Sequence, residues 1–446
     1  MQSAPRVSGG TLCAMGSSRL VLFGGRSSES GLTLGATRLV TVTWPAHAGG
    51  RGARPVARWD EVIAEPLHRP GARCYHVAVR WAAAERRGGE ARMLVFGGAG
   101  DGADALHGDT WCLALPAPAA AGSSSAHARW ERVACTGDAP APRSSHVCAV
   151  WPAGGGVPVL HGGLGNDGVM SDVWTLDARD KRWGRMHAVG APAARAHHAG
   201  AIVGDTLLVF SGQDERLLTV DSVCVLHLPT ATWSAPALLP APAPAGRIDA
   251  AGGILALGCA APFGLVVFGG VGASFEFEPT TPWLVRADGD ARGALSAAPL
   301  SAAPTAARAA GAPRARACAA LASDALRVYA FGGFDGQQDL DELWCLSFVP
   351  PSFATAGASV DTAASRAREA RTDEEMGASD VFRRRRAAQV KELQGLRGAS
   401  GESYMPVHLR VWHAGAFEAL ADGEHAQAEA HAACTAAAVA TACTLR

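Results

Sequence analysis

"VPVLHGGLGNDGVMSDVWTLDARDKRW" spans Val157 to Trp183. An apolar run closes on Gly162 and Gly163; Trp174 follows eleven residues after the second glycine, and Trp183 nine after that. The same order of signals recurs along the chain. Apolar runs ending in small residues read "RLVLFGG" (19–25), "MLVFGG" (93–98), "VPVLHGG" (157–163), "LLVFSG" (207–212), "LVVFGG" (265–270) and "RVYAFGG" (327–333). The first small residue falls at 24, 97, 162, 211, 269 and 332, so the intervals are 73, 65, 49, 58 and 63 residues. Insertions stretch the interval and leave the order of signals unchanged.

Three further signals accompany each run. Downstream comes an acidic residue followed by an apolar-aromatic segment: "GDTWCLAL" (108–115), "SDVWTLD" (171–177), "DSVCVLHL" (221–228) and "DELWCLSF" (341–348). A second tryptophan then opens a short segment, as in "ARWDEV" (57–62), "ARWERV" (128–133), "KRWGRM" (181–186) and "ATWSAP" (231–236). Upstream of the glycines an Arg recurs at 6, 73, 143, 195, 247 and 314, and His76, His146 and His198 follow three residues after theirs. Apolar runs of four to six residues bounded by Gly, Pro and Asp turns read as strands. A four-stranded unit repeated six times is the signature of a β-propeller, in which neighbouring blades bury the faces that one blade cannot. On this reading Gly97, Gly98, Gly162, Gly163, Gly269, Gly270, Gly332 and Gly333 end strands in crowded, positive-φ positions. Trp111, Trp130, Trp174, Trp183, Trp233 and Trp344 fill the wedges between blades.

The order of an Arg–His box, a strand ending in Gly-Gly, D-x-W-x-L and a final Trp resembles the kelch repeat. The resemblance covers residues 3–350 and implies an all-β, six-bladed kelch propeller. Repeat four departs with Ser211-Gly212. Repeat five has "TPWLVRAD" as its third strand and no final Trp, and in repeat one "ATRLVTVTW" (36–44) stands for the third strand.

Surface connections are expected at 81–93, 115–129, 237–247 and 294–316, which are rich in Ala, Pro or charge and poor in packing residues. Residues 351–403 read as a charged, partly helical insertion. Within 404–446, "MPVHLRVWHAG" (405–415) alternates like a strand, and Trp412 is the candidate to close blade six; an Ala-rich tail follows. The run Arg383 to Arg386 reads as a solvated face or as an anion-binding or nuclear-localisation patch.

The 446-residue chain has a formal net charge of −1, which gives no electrostatic case for nucleic acid or an anionic membrane. Its 11 cysteines form no C-x-x-C pair and sit mostly in apolar runs, the pattern of reduced core cysteine. "MQSAPRVSGG" lacks the pattern of a signal peptide, and no apolar span crosses a membrane. The expected compartment is the cytoplasm, with the nucleus as an alternative.

Some kelch-like propellers are enzymes. The copper oxidases among them imply a set of two Tyr, two His and a Tyr-linked Cys, and this chain has only Tyr75, Tyr329 and Tyr404. The E-x-x-x-D-x-x-x-H motif of iron-dependent kelch proteins fails, because Glu369 and Asp373 are followed by Gly377. No catalytic signature, metal site or cofactor is expected. The three histidines are expected to hydrogen-bond backbone groups of their own repeat. In kelch propellers the position of the Arg row lies near the channel mouth, so the resemblance makes Arg73, Arg143, Arg195, Arg247 and Arg314 candidate contacts for a protein or peptide partner, possibly an acidic one, with Arg6 the weaker sixth. The competing reading pairs each Arg with a turn acid such as Asp109, Asp172 or Asp341. The expected function is a non-catalytic interaction module or scaffold. The alternatives are a substrate-recognition subunit for ubiquitin ligation, for which 361–446 shows no adaptor pattern, and a metal-dependent enzyme.

Overall fold

A computed structural model describes residues 4–346 except 17, 44–55, 63–67, 82–90, 103–104, 117–127, 237–243, 256–263, 275, 279–280, 288–294, 300–312 and 325–326. The expectations for Trp412, Arg383 to Arg386 and the C-terminal helix and strand lie outside the described residues.

Among the described residues six antiparallel blade sheets form, each a simple up-and-down run in chain order, and a two-stranded sheet pairs Arg247–Ile248 with Val271–Gly272. Blade one comprises Thr11–Ala14, Arg19–Phe23, Thr37–Thr43 and Val56–Glu61. Blade two comprises Val77–Arg80, Ala91–Phe96, Thr110–Leu115 and Arg129–Arg132. Blade three comprises Val147–Trp151, Val157–Gly165, Gly168–Asp177 and Arg182–Met186. Blade four comprises Ala199–Val203, Thr206–Phe210, Val223–His227 and Thr232–Ser234. Blade five comprises Ala251–Leu255, Gly264–Phe268, Trp283–Ala287 and Leu295–Pro299. Blade six shows three strands among the described residues, Ala320–Ser323, Val328–Phe331 and Leu343–Leu346. The first strand of each blade neighbours the first strand of the next, and that of blade six returns to that of blade one, so the ring is closed at its axis.

A boundary in blade five differs from the sequence reading. Residues 295–299, expected in a surface connection, are the fourth strand of blade five, with Ala297 opposite Val285 where other blades carry Trp. Small side chains there still meet a full neighbour, because Ala297 packs with Phe210 and Leu208 of blade four. The irregular third strands of repeats one and five form as expected, at Thr37–Thr43 and Trp283–Ala287.

The core lies between blades. Leu94 and Phe96 of blade two, for example, pack with Leu160, Trp174, Leu176 and Trp183 of blade three. Second strands are buried on both faces, which is why they read as unbroken apolar runs. Each fourth-strand Trp lies on the last residue before the small pair in the preceding blade. Ring centroids are 4.8 Å apart for Trp59 and Phe331, 4.9 Å for Trp130 and Phe23, 5.2 Å for Trp183 and Phe96, and 4.9 Å for Trp233 and His161. The indole N–H of Trp130 and of Trp183 finds a hydroxyl across the same seam, Thr37 and Thr110, each at 3.2 Å.

Register places the connections. In blade two Val77 pairs with Phe96, Phe96 with Thr110, and Trp111 with Arg132. The start of the first strand, the second-to-third loop and the exit of the fourth strand therefore share one end of the sheet. All six blades gather these loops on one face, called here the loop face.

Candidate functional site

The Arg row does not point at solvent. The Arg73, Arg143, Arg195 and Arg247 side chains are buried, and each donates to the carbonyl two residues before it and to that of the first small residue of its blade. In blade three, Arg143 Nε donates to Ala141 O at 3.0 Å and Nη1 donates to Gly162 O at 3.0 Å. Its fork then closes on Asp172, Nη1 to Oδ1 at 2.6 Å and Nη2 to Oδ2 at 2.9 Å. Arg73 repeats this with Gly71 O, Gly97 O and Asp109. One guanidinium thus staples the incoming connection, the glycine turn and the head of the third strand. The D-x-W motif has its explanation here: the same carboxylate accepts the indole N–H two residues on, Trp111 to Asp109 at 2.6 Å and Trp174 to Asp172 at 2.7 Å. Burial pushes Asp109 and Asp172 up, but the Arg and Trp bonds outweigh it and hold both below the ordinary carboxylate value.

The ligand-contact expectation for Arg73, Arg143, Arg195 and Arg247 is therefore corrected: their donors are used internally, in a site too dry to leave a guanidinium unbonded. In blade six the position belongs to Arg316, not Arg314. Arg316 is buried and bonds Arg314 O, Gly332 O and Glu342, while Arg314 is exposed and reaches Asp335 at 3.5 Å. Glu342, not Asp341, is the acid of that motif and accepts from Trp344 at 2.6 Å. Arg6 is likewise displaced: Val7 occupies the position, and Arg6 pairs with Asp341 at 3.3 Å. The equivalent of the acid in blade one is Ala36, so both members of the pair are missing together. Blade five uses Glu278, 3.5 Å from Arg247. Blade four has Ser222 at the acid position; Arg195 keeps the bond to Ser211 O at 3.2 Å and turns its Nη2 to Cys224 Sγ at 3.3 Å instead of an acid.

The carbonyl of this same residue joins blades. The second small residue of each pair donates its N–H to it in the next blade: Gly25 to Arg73, Gly98 to Arg143, Gly163 to Arg195, Gly212 to Arg247, Gly270 to Arg316 and Gly333 to Val7, at 2.8–3.1 Å. Close approach explains the first glycine. A Cβ on Gly97, at φ +68°, would stand 2.6 Å from Arg143 O and 2.8 Å from His146 Cε1. Ser211 meets the same φ of 57° because its hydroxyl is used, accepting from Arg247 N at 2.5 Å and donating to Val220 O at 2.7 Å.

The histidines also differ from expectation. His76 bonds the Thr11 hydroxyl of blade one at 2.7 Å, not backbone of its own repeat. His146 packs on Phe96 beside the Ser144 backbone of its own repeat, and His198 packs on His161, where its ring nitrogens have no partner among the described residues. Burial pushes His76 and His198 well below the ordinary value, His146 to about 3 and His161 to about 4, so all four are neutral near pH 7.

The feature that sequence reading missed lies two residues after each Arg position. Gly9, Tyr75, Ser145, His197, Asp249 and Cys318 all hold φ between 53° and 62°. Their backbones form a closed collar, each N–H donating to the carbonyl of the one before: Tyr75 to Gly9, Ser145 to Tyr75, His197 to Ser145, Asp249 to His197, Cys318 to Asp249 and Gly9 to Cys318, at 2.8–3.1 Å. Left-handed backbone costs a non-Gly residue about 1–2 kcal/mol; the collar bonds require it here. The signal in the sequence is positional only, the middle of the R-x-x-H box, because six different side chains share one backbone role.

These side chains ring the loop-face mouth of an axial cavity of about 870 Å³, its open ends included. His197 Nδ1 and Asp249 Oδ1 are 2.6 Å apart, Tyr75 Oη and Cys318 Sγ 3.5 Å apart, and the Tyr75 and His197 rings meet edge-on at 6.0 Å. Burial, reinforced by Asp249, pushes the Cys318 thiol well above its ordinary value. Burial does the same to Tyr75, with Cys318 and Asp249 adding to it. Cys, His and Asp thus meet without an activated thiolate, which nucleophilic catalysis requires. Among the described residues no group of three His, Cys, Asp or Glu is placed to hold a metal ion.

The repeat geometry has a counterpart in known families. The KLHDC2/KLHL20/DRC7 kelch-repeats domain matches residues 56–270, and the kelch motif matches 315–349. The chain belongs to the kelch-repeat β-propeller family. Acyl-CoA-binding domain-containing protein 4 of Arabidopsis thaliana is 31% identical over 153 residues, 33% of this chain and 22% of that protein. Tip elongation aberrant protein 1 of Schizosaccharomyces pombe is 25% identical over 236 residues, 51% of this chain and 19% of that protein. The chain thus spans less than a quarter of either relative. The solved structure of YjhT aligns with a TM-score of 0.48 at 14% identity, over 75% of this chain and 93% of that one. In this kelch propeller, five buried Arg staples and the axial collar fix one loop-bearing face.

Proposed function

We propose that this kelch propeller is a non-catalytic interaction module that holds a peptide or protein partner on its loop face. The observation that carries the reading is the Arg staple: five copies of one buried bond set rigidify the loops of a single face around an axial mouth. Preorganised loops lower the ordering cost of binding. The raised Cys318 thiol at that mouth argues against a nucleophile there. The cytoplasm suits the eight free cysteines among the described residues, and imaging of the tagged protein tests that location.

Affinity capture followed by cross-linking mass spectrometry tests the reading. Cross-links from a captured partner are expected at the loop-face segments 97–109, 187–198 and 211–222. Cross-links confined to the opposite face, at 152–156 and 178–181, overturn it. A co-purifying cullin or its adaptor would narrow the module to ubiquitin ligation.

A further inference from the structure

We propose that the loop face takes a basic peptide segment and seats one of its guanidinium or ammonium groups at the axial mouth, against Asp249 and the Tyr75 ring. This rests on the interaction-module reading and assigns the chemistry of the partner. The Arg row that made an acidic partner the expectation is spent on internal bonds. What remains exposed in the second-to-third loops is mainly acidic. In the second-to-third loops Glu29, Asp101, Asp167, Glu215 and Asp221 are exposed, and Arg216 is the exposed Arg. At the fourth-strand exits and in the connections between blades Glu61 and Asp138 are exposed, as are Arg6, Arg69, Arg132, Arg185 and Arg314, of which Arg6 pairs with Asp341 and Arg314 with Asp335.

The mouth itself is a set of acceptors. The Asp249 carboxylate is oriented by His197 at 2.6 Å, and Ser145 places a hydroxyl in the same ring. His146 and His198 line the cavity deeper in, where their rings turn into the seams and pack on Phe96 and His161. Tyr75 adds an aromatic ring, which attracts cations. A donor-rich cation meets the Asp249 carboxylate, the Ser145 hydroxyl and the Tyr75 ring, whereas a carboxylate would meet Asp249.

Fluorescence anisotropy on the full chain tests the inference with two fluorescein-labelled probes, hexa-arginine and hexa-glutamate. Hexa-arginine is expected to bind, more weakly as salt is raised, and hexa-glutamate is expected not to. Asp249→Asn should weaken hexa-arginine at least about tenfold, the loss of one charge-assisted hydrogen bond. Ser145→Arg tethers a cation in the mouth at a position already left-handed with a side chain; it should block hexa-arginine while the melting temperature holds. Tighter binding of hexa-glutamate, or hexa-arginine binding indifferent to both variants, overturns the inference. A partner that cross-links to the loop face through an acidic segment overturns the inference and leaves the module reading standing; cross-links confined to the opposite face remove both.

Discussion

Replacing Arg143 by Val tests the staple against a control that the protein itself contains. Blade one carries Val7 and Ala36 where blade three carries Arg143 and Asp172, so the fold accepts the loss of both partners together. The loss of one is different. Arg143→Val leaves Asp172 without its fork and the Ala141 and Gly162 carbonyls without donors. Asp172→Ala leaves a guanidinium whose side chain is 1% exposed facing no charge, and strands the Trp174 N–H as well. Breaking a buried pair from one side costs about 3–5 kcal/mol. Asp172 is 16% exposed and can turn partly to water, so Arg143→Val is expected near the low end and Asp172→Ala near the high end. The double variant should cost less than the sum of the singles by about 2–3 kcal/mol, the upper range for coupled neighbours. Urea unfolding at pH 7, followed by tryptophan fluorescence, gives all four values. Single losses under about 1 kcal/mol, the level of a surface site, or singles that simply add, would refute the reasoning and return Arg143 to the surface.

Other outcomes follow from the same geometry. Stability should fall as pH drops below about 6.5, because the unfolded chain then protonates histidines that burial keeps neutral in the fold; each such imidazole costs about 2 kcal/mol by pH 5. His161→Phe, which installs the residue found at that position in other blades, should stabilise the protein at pH 5 and flatten that slope in thermal melts. Below about pH 4 a second loss is expected as Asp109 and Asp172 protonate, since their folded values lie below the unfolded one and the stability they give exists only above it. Gly97→Ala should cost more than about 2 kcal/mol in urea unfolding, from left-handed backbone and contact with Arg143 O, whereas Ser211→Gly should stay within about 1 kcal/mol. Trp183→Ala should cost about 3–5 kcal/mol, as deletion of a core aromatic does, because Trp183 closes the seam on Phe96.

The blades were legible because burial writes itself into residue type. Second strands covered on both faces are apolar throughout, and Gly97 or Gly162 stands where a Cβ would strike the next blade. The site was less legible, for two physical reasons. Repeats one and six each hold an Arg near the box that is not the structural one. Arg6 and Arg314 match the letter, but what defines the position is the carbonyl that accepts from the preceding glycine pair, and that belongs to Val7 and Arg316. Direction was the second reason. An Arg at a channel mouth and an Arg folded back onto its own turn have the same sequence, and the motif acid that decides between them lies 26 to 36 residues away. The collar left no trace in residue type at all, because its six members share φ and hydrogen bonds but not side-chain chemistry. The fourth strand of blade five was hidden by composition: Ala and Pro at 295–299 look like a linker until Val285 pairs with Ala297.

The ring closes at its axis, with one face fixed around the mouth. Hydrogen–deuterium exchange of the collar amides measures this most directly. Gly9, Tyr75, Ser145, His197, Asp249 and Cys318 should exchange together and only through global unfolding, although they lie outside every strand and three of the side chains are partly exposed. Fast, unequal exchange at these six amides, while the second strands stay protected, would contradict the collar and with it the fixed face.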